Sequence, residues 1–389
     1  MKQVLIILTI VFLLVDFAVA SEEVSNECTD QGVLAEFTFT KGDYGIFLPV
    51  QFKGKEHLFV FDTGATLTVF DTSLKHNLGR GKKTVFARTS GKPIPVEIFD
   101  APKAFLGPLS MQGCGEVVCM DLKIMGNVAG RKIDGIIGMN FLKNHIVQID
   151  FDRGKLLFLK TMAKNNSYWG TPLPITYNLM GMPQIKGSVL DSIMVEFSED
   201  FVIDTGADFA GDLNRKILDE ILARGKTKVS EEQFGTGSGI MKSRIIRISD
   251  IQIGPSYCKN LIFREGNWSS LGLEFLSRHL VTFDFPSNRL YLKKGKDFDK
   301  IDEINMSGLH LVCVSNEVVV HSVDEGSPAH EAGIHTDDVI AQINNKDSNA
   351  YEMWEVRDIL KSKDGQEITM TIKRGDEIKE VSLTLRRKI

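Results

Sequence analysis

Two short stretches of this chain hold residues that could do chemistry together. Phe59-Val60-Phe61-Asp62-Thr63-Gly64-Ala65-Thr66 recurs as Phe201-Val202-Ile203-Asp204-Thr205-Gly206-Ala207-Asp208. In each, three apolar residues of strand type run into an acid, a hydroxyl and a glycine. A carboxyl group at the end of a buried strand is costly unless it has a partner or a task. Here the partner is the other copy. Two carboxylates brought together cannot both ionise, so they share one proton, and such a pair can activate water. One acid acts as general base toward the water while the other protonates a carbonyl oxygen, which hydrolyses a peptide bond without a covalent intermediate. Asp62 and Asp204 are therefore the expected catalytic pair. Gly64 and Gly206 let the chain turn and the facing loop come close. The hydroxyls of Thr63 and Thr205 are expected to hydrogen-bond across the two-fold and stiffen both loops. A single such tripeptide is more often a turn or a helix N-cap. Asp71-Thr72-Ser73, which lacks the glycine and the apolar run-in, reads that way.

Bringing two half-sites together needs two matching supports, and the supports repeat as well. Ile137-Gly138-Met139-Asn140-Phe141-Leu142 is echoed by Leu271-Gly272-Leu273-Glu274-Phe275-Leu276. His145 to Phe151 is echoed by His279 to Phe285, and Leu106-Gly107-Pro108 by Ile253-Gly254-Pro255. The period is far longer than the ~20–50 residues of solenoid repeats and suits a duplicated, two-lobed domain. Strand pairs such as Thr84 to Arg88 with Ile94 to Phe99 surround polar tips that hold Ser90 and Gly91 in the first half and Thr236 and Gly237 in the second. Asp134, Asn140 and Glu274, beside the apolar-glycine motifs, read as groups that fix loops. The expected division is a lobe over residues 21–165 and a second over 166–298. After a charged linker (Lys293 to Glu303), residues 304–389 change pattern. Two strand pairs, a further strand at Asp338 to Ile343 and an amphipathic helix from about Ala350 to Leu360 make a small α+β domain.

The 389 residues give room for two or three domains, and a net charge of −5, spread along the chain, points away from nucleic acid and anionic membranes. Lys2, the apolar run Val4 to Val15 and Ala18-Val19-Ala20 make residues 1–20 a secretory signal peptide cut after Ala20. A secreted or periplasmic protein with no membrane anchor after cleavage is expected. Export permits disulfides. Of Cys28, Cys114, Cys119, Cys258 and Cys313, the pair Cys114 and Cys119 is close enough to bridge, and the odd total leaves a thiol over. A zinc site would need four suitably spaced ligands, which are missing, so no metal or cofactor is expected. No His-Glu-x-x-His motif or Gly-x-Ser-x-Gly elbow at a strand-to-helix turn offers a different peptidase chemistry.

Asp62-Thr63-Gly64-Ala65, Asp204-Thr205-Gly206-Ala207 and Ile136-Ile137-Gly138-Met139-Asn140 together resemble the retropepsin-like branch of the aspartic proteases, over about residues 33 to 295. The resemblance implies a mainly β, bilobal acid-protease fold, a polypeptide substrate, and flaps at the hairpin tips around Gly91 and Gly237. Both motifs lie in one chain, so activity as a monomer is expected, whereas retroviral enzymes are homodimers. Pepsins carry serine or threonine after the glycine, a flap tyrosine and a long basic prosegment. This chain has alanine in both copies and a lead-in of only a dozen residues. Without those hydroxyls the dyad should keep its shared proton to higher pH, giving activity from weakly acidic to near-neutral pH.

Residues 304 to 389 resemble a PDZ module, through Gly326-Ser327-Pro328-Ala329, Ala332-Gly333-Ile334 and Asp338-Val339-Ile340, with Asp337 where such domains often have glycine. The resemblance implies that the loop Ser307-Gly308-Leu309-His310-Leu311 receives a peptide C-terminus on its backbone N–H groups, the ligand adding as a strand beside the helix. A groove that merely packs against the lobes is the competing reading, and His310 reads as an exposed histidine able to tune binding. The expected function is an exported aspartic endopeptidase with a PDZ domain that recruits substrates or partners. The alternative is a catalytically inactive scaffold that binds peptides in the protease-like cleft and the PDZ groove.

Overall fold

A computed structural model describes residues 32–43, 45–88, 91–161, 166–191, 195–236 and 239–389. The signal peptide, Cys28, Ser90 and Gly237 lie outside the described residues. The fold is mainly β, built from four sheets, the last of which belongs to a PDZ domain.

One sheet joins the two halves. Its strand order is Val33–Thr38, Lys155–Leu159, Ile146–Asp150, His279–Asp284, Arg289–Lys294 and Pro172–Pro174. The repeated segments meet at its centre, antiparallel, with Ile146 opposite Asp284 and Asp150 opposite Leu280. Gln148 donates to Thr282 Oγ1 at 2.9 Å between these central strands. The sequence echo between the two segments is thus a spatial pairing about a pseudo-two-fold axis.

Each half then builds its own sheet. In the first, Lys55–Phe61 runs parallel to Gly135–Ile137, with Phe61 opposite Ile137. In the second, Glu196–Ile203 runs parallel to Ser270–Leu271, with Ile203 opposite Leu271. The valine-, isoleucine- and phenylalanine-rich runs suit these strands, which are buried on both faces: Phe59, Phe61, Phe201 and Ile203 are all 0% exposed. Each apolar run ends as the chain leaves the sheet, and that is where the acid stands.

Several expectations need correction. The linker begins later than predicted, because Lys293 and Lys294 belong to the strand Arg289–Lys294. The PDZ helix spans Met353–Leu360. It starts late because Glu352 and Glu355 close a capping box, Glu352 N donating to Glu355 Oε2 at 2.8 Å. Cys114 and Cys119 do not bridge: Cys119 is buried in the strand Glu116–Met120, Cys114 closes a turn of 3-10 helix, and both thiols are free. Five helices among the described residues had not been foreseen, the two longest being Lys123–Ala129 and Arg215–Ala223. Gly130, at φ 75°, ends the first, and Asn214 caps the second by accepting from Lys216 N.

Candidate active site

The loops after Phe61 and Ile203 meet at the junction of the lobes. Thr63 Oγ1 donates to Ile203 O at 2.7 Å and accepts from Thr205 N at 3.1 Å. Thr205 Oγ1 returns the pattern, donating to Phe61 O at 3.0 Å and accepting from Thr63 N at 3.0 Å. Both threonines are fully buried. Four reciprocal bonds leave each loop no freedom to move without the other, so the expected cross-axis grip is present.

The glycines explain how close the loops come. A Cβ on Gly64 would lie 2.5 Å from Asp204 Cγ, and one on Gly206 would lie 2.5 Å from Asp62 Cγ. Each carboxyl therefore packs on the facing glycine, and any side chain there would push the acids apart. Behind the dyad, Gly138 and Gly272 allow a second close crossing. Met139 N donates to Ala65 O at 2.7 Å, and Leu273 N donates to Ala207 O at 2.8 Å. Asn140 Oδ1 accepts from Thr68 N and Thr68 Oγ1 at 2.8 and 2.9 Å. Asp134 Oδ2 accepts from Leu58 N at 3.2 Å. Asn140 and Asp134 hold loops, as expected of them. Asp71 accepts from Ser73 N and starts a 3-10 helix, the bland role its sequence suggested.

Asp62 and Asp204 face each other at the junction of the lobes, each carboxyl against the facing glycine, and both are partly buried. Burial raises both carboxyls above the ordinary carboxylate range. They are not equivalent. Asp62 Oδ1 accepts from Gly64 N at 2.7 Å and Ala65 N at 3.1 Å, which steadies its anion. Asp204 Oδ1 accepts only from Gly206 N, at 3.0 Å. The negative charges of Asp62 and Asp212 add to burial and raise Asp204 well above its usual value. Of the two, Asp204 is the carboxyl whose anion receives the weaker backbone support.

The sequence reading missed Asp208, Asp212 and Arg264. Arg264 is 5% exposed and donates to Asp212 Oδ1 at 2.8 Å. Its guanidinium lies between the rings of Phe209 and Phe234, 4.1 and 4.0 Å from their centroids, which ties the Asp204 loop to the second hairpin. Asp208 was visible as a break in the repeat, since Thr66 holds the equivalent position.

Thr236 is buried and donates across its own tip to Gly239 O at 2.9 Å. Gly235 packs on Val128 of the opposite lobe, a Cβ there falling 2.8 Å from Val128 Cγ2. Gly91 follows the strand Lys83–Ala87 in the first hairpin.

The PDZ loop also differs from expectation. Gly308, at φ 78°, makes the turn. However, Ser307 N already donates to Asn305 Oδ1 at 2.9 Å, and Leu309 N to Ser307 Oγ at 3.0 Å. Side chains thus occupy two of the amides that would receive a carboxylate. His310 is buried rather than exposed, its Nε2 lying 2.8 Å from Asp324 Oδ1. Leu311 is buried as well, in the core of its own domain. Lys388 Nζ bridges Asp324 Oδ2 at 2.8 Å and Glu232 Oε2 at 2.9 Å, the latter on the second hairpin.

The ionisable groups at the domain junctions set a dependence of stability on pH. Burial raises Asp43, beside Arg131, to about 6, and raises Asp302 to about 7, with the charge of Glu274 adding. Between the unfolded carboxyl value, about 4, and these folded values, the native state holds protons that the unfolded chain has released. Stability therefore falls as pH rises through that window. Asp324 runs the other way. Although burial opposes it, bonds from His310 and Lys388 hold it at about 2, so its contribution is lost only in strong acid. Buried His279, pushed down to about 4, works the other way below its ordinary value of about 6.5, so the thermal midpoint is expected to drop between about pH 6.5 and pH 8. A flat or rising midpoint in a melting series would contradict these assignments.

One buried Ser–His contact offers an alternative chemistry. Ser256 Oγ lies 2.7 Å from His279 Nε2, but the two are 6% and 1% exposed. The other ring nitrogen faces Phe275 O at 3.2 Å instead of a carboxylate, and burial pushes His279 down to about 4. That pair has neither substrate access nor an acid to orient it. Among the described residues no cluster of side chains could hold a metal ion, and no helix is long and apolar enough to cross a membrane.

Comparison with known proteins gives a divided picture. An aspartyl protease family model matches residues 48–141, and a PDZ domain model matches residues 303–385. The Asp204 motif lies outside both matches. Probable CtpA-like serine proteases of Staphylococcus aureus, from strains COL, N315 and MRSA252 among others, are 37% identical over 69 residues. That stretch is 18% of this chain, and the match spans only 14% of the relatives' length. A solved structure, the photosystem II D1 C-terminal processing protease, is 21% identical over 23% of this chain and 25% of its own, with a TM-score of 0.21.

Proposed function

We propose that this chain is an exported endopeptidase in which Asp62 and Asp204 activate a water to hydrolyse peptide bonds. The observation that carries the reading is the reciprocal threonine grip that holds two carboxyls face to face, each packed on the facing glycine. Asp62, steadied by two backbone N–H groups, is the general base that takes a proton from water. Asp204, protonated at the start, donates to the scissile carbonyl oxygen as the tetrahedral intermediate forms. The proton then returns through the dyad to the leaving amine, and no protein atom bonds to substrate. Thr63, Gly64, Thr205 and Gly206 set the spacing of the acids, and the two hairpins bound the cleft.

The names of the relatives invite a serine mechanism instead. The match to them is a short part of both chains, and the serine–histidine contact described above is sealed in the core. The aspartic reading therefore has the better chemistry.

Both dyad groups are raised, so cleavage should be fastest at weakly acidic to near-neutral pH and fall as Asp204 loses its proton. A pH–rate profile on an unfolded protein substrate tests this. An optimum in strong acid, below about pH 3, well under the ordinary carboxyl value, would count against it.

A further inference from the structure

The repeat breaks at one pair of neighbouring strands. In the first lobe Val69–Asp71 runs parallel to Glu116–Met120, and Phe70 lies opposite Cys119, both in the apolar core. In the second lobe Gly211–Asn214 runs parallel to Ser256–Gly266. There Asp212, which stands in the place of Phe70 when each lobe is counted from its dyad acid, lies opposite Arg264. Exchanging a buried ion pair for apolar residues is commonly neutral or stabilising, and the first lobe makes the same strand pairing with an apolar pair. The ion pair therefore points to a task other than stability.

Its contacts lead to Asp204 and to the second hairpin. Asp212 N donates to Ser270 Oγ at 3.1 Å, and Ser270 Oγ donates to Asp212 Oδ2 at 3.2 Å. The next residue, Leu271, accepts from Asp204 N on its carbonyl at 2.9 Å. Phe209, one of the two rings against the guanidinium, continues the Asp204 loop and is held there by Glu274 N, which donates to Phe209 O at 3.2 Å. Phe234, the other ring, belongs to the hairpin strand Val229–Thr236. The charges that bear on Asp204 are those of Asp62 and Asp212. Arg264 also bears on Asp208, as does Lys361 at the end of the PDZ helix. Glu265, next to Arg264, is taken by Arg215 and Arg244.

We propose that Arg264 is a positioning residue for the dyad. It balances the Asp212 carboxylate, whose charge bears on Asp204, and it pins the second hairpin, through Phe234, to the loop that carries Asp204. This rests on the endopeptidase reading and deepens it: one side chain sets the electrostatics of the general acid and fixes a wall of the cleft. Removing either charge of the pair leaves the other unbalanced, and the two act on Asp204 with opposite sign. A lone Asp212 favours the protonated acid, whereas a lone Arg264 favours its anion.

The test uses the full chain, an unfolded protein substrate and the pH dependence of kcat/KM, which reports groups of the free enzyme. Arg264→Met should move the alkaline limb, where Asp204 loses its proton, to higher pH. Asp212→Asn should move it to lower pH, and the double variant should bring it back toward the wild-type position. Arg264→Lys keeps the charge but not the planar stack, so its limb should stay in place while KM rises about three- to tenfold. Phe234→Ala should raise KM likewise without moving the limb. A limb that stays put in Asp212→Asn, or moves the same way in both single charge variants, overturns the proposal. So does an unchanged KM in both Arg264→Lys and Phe234→Ala. Melting curves show which variants are folded; if Arg264→Met is not, Asp212→Asn and Phe234→Ala still decide. If the wild type cleaves nothing, the endopeptidase reading itself fails, whereas an active wild type with these results absent overturns the role of Arg264 alone.

Discussion

Asp62→Asn and Asp204→Asn each lower kcat by at least about 10³-fold, within the range lost when a general acid–base group is removed. The amide cannot take the proton from water at position 62 or donate the same acidic proton at position 204. The fold should survive both changes, because Asn keeps the shape that packs on Gly206 or Gly64, where the carboxyl carbons lie 2.5 Å from a would-be Cβ. Neutralising one acid also removes the repulsion that raises the other, so neither variant should melt at lower temperature than the wild type. The double variant should be no worse than the weaker single one, since the acids act as a unit. Steady-state kinetics on an unfolded protein, with melting curves alongside, checks this. Full activity in either single variant would remove Asp62 and Asp204 from the chemistry and point to another catalytic centre, whereas an inactive wild type would leave the catalytically inactive scaffold standing.

Thr63→Val destabilises the protein and disables it together. The substitution keeps the shape but deletes the hydroxyl that donates to Ile203 O and accepts from Thr205 N. Two buried backbone groups are left without partners, each costing about 1–3 kcal/mol. A loss of about 2–6 kcal/mol is therefore expected, a large part of the ~5–15 kcal/mol that holds a domain together. Thr205→Val should do the same, through Phe61 O and Thr63 N. Thr63→Ser retains the hydroxyl and should recover most of both stability and activity. Denaturant titration of the three variants reads the effect. If serine fails as badly as valine, the methyl contact and not the cross-axis bonding is what joins the loops.

The dyad was legible in the sequence because its chemistry is compact and written twice. Acid, hydroxyl and glycine are adjacent, and the apolar run before them announces a strand end. The repeat His145 to Phe151 and His279 to Phe285 carried the joining sheet in the same way, since duplicated strands pair about a two-fold. Asp337 was legible as well. It stands where related modules favour glycine, and its φ is 68°, in the left-handed region. What was not legible depends on contacts between distant, individually ordinary residues. Nothing local links Arg357 to Val128 or Lys388 to Glu232, so the docking of the PDZ domain on the lobes could not be read from the pattern. The capture of the Ser307 amide by Asn305, two residues away, has no periodic signature. The thiols of Cys114 and Cys119 were near in sequence, but spacing gives no side-chain direction.

The domain junctions join the two levels of the account. Glu232 on the second hairpin reaches Lys388 of the PDZ domain, and Gln233 beside it accepts from Ser322 Oγ at 2.9 Å. The same hairpin lays Phe234 on Arg264, which anchors the Asp204 loop through Asp212. The PDZ domain, the hairpin and the Asp204 loop thus form one connected set of contacts.

The most direct measurement of how bonds are cleaved is nucleophile trapping. An unfolded protein is digested in ¹⁸O-labelled water with hydroxylamine present, and the new C-termini are weighed by mass spectrometry. Attack by a water held between Asp62 and Asp204 puts a labelled oxygen into every new carboxyl group, with no hydroxamate and no covalent protein adduct. Hydroxamate products, or a burst of acyl-protein carried on a serine, would contradict the dyad mechanism outright.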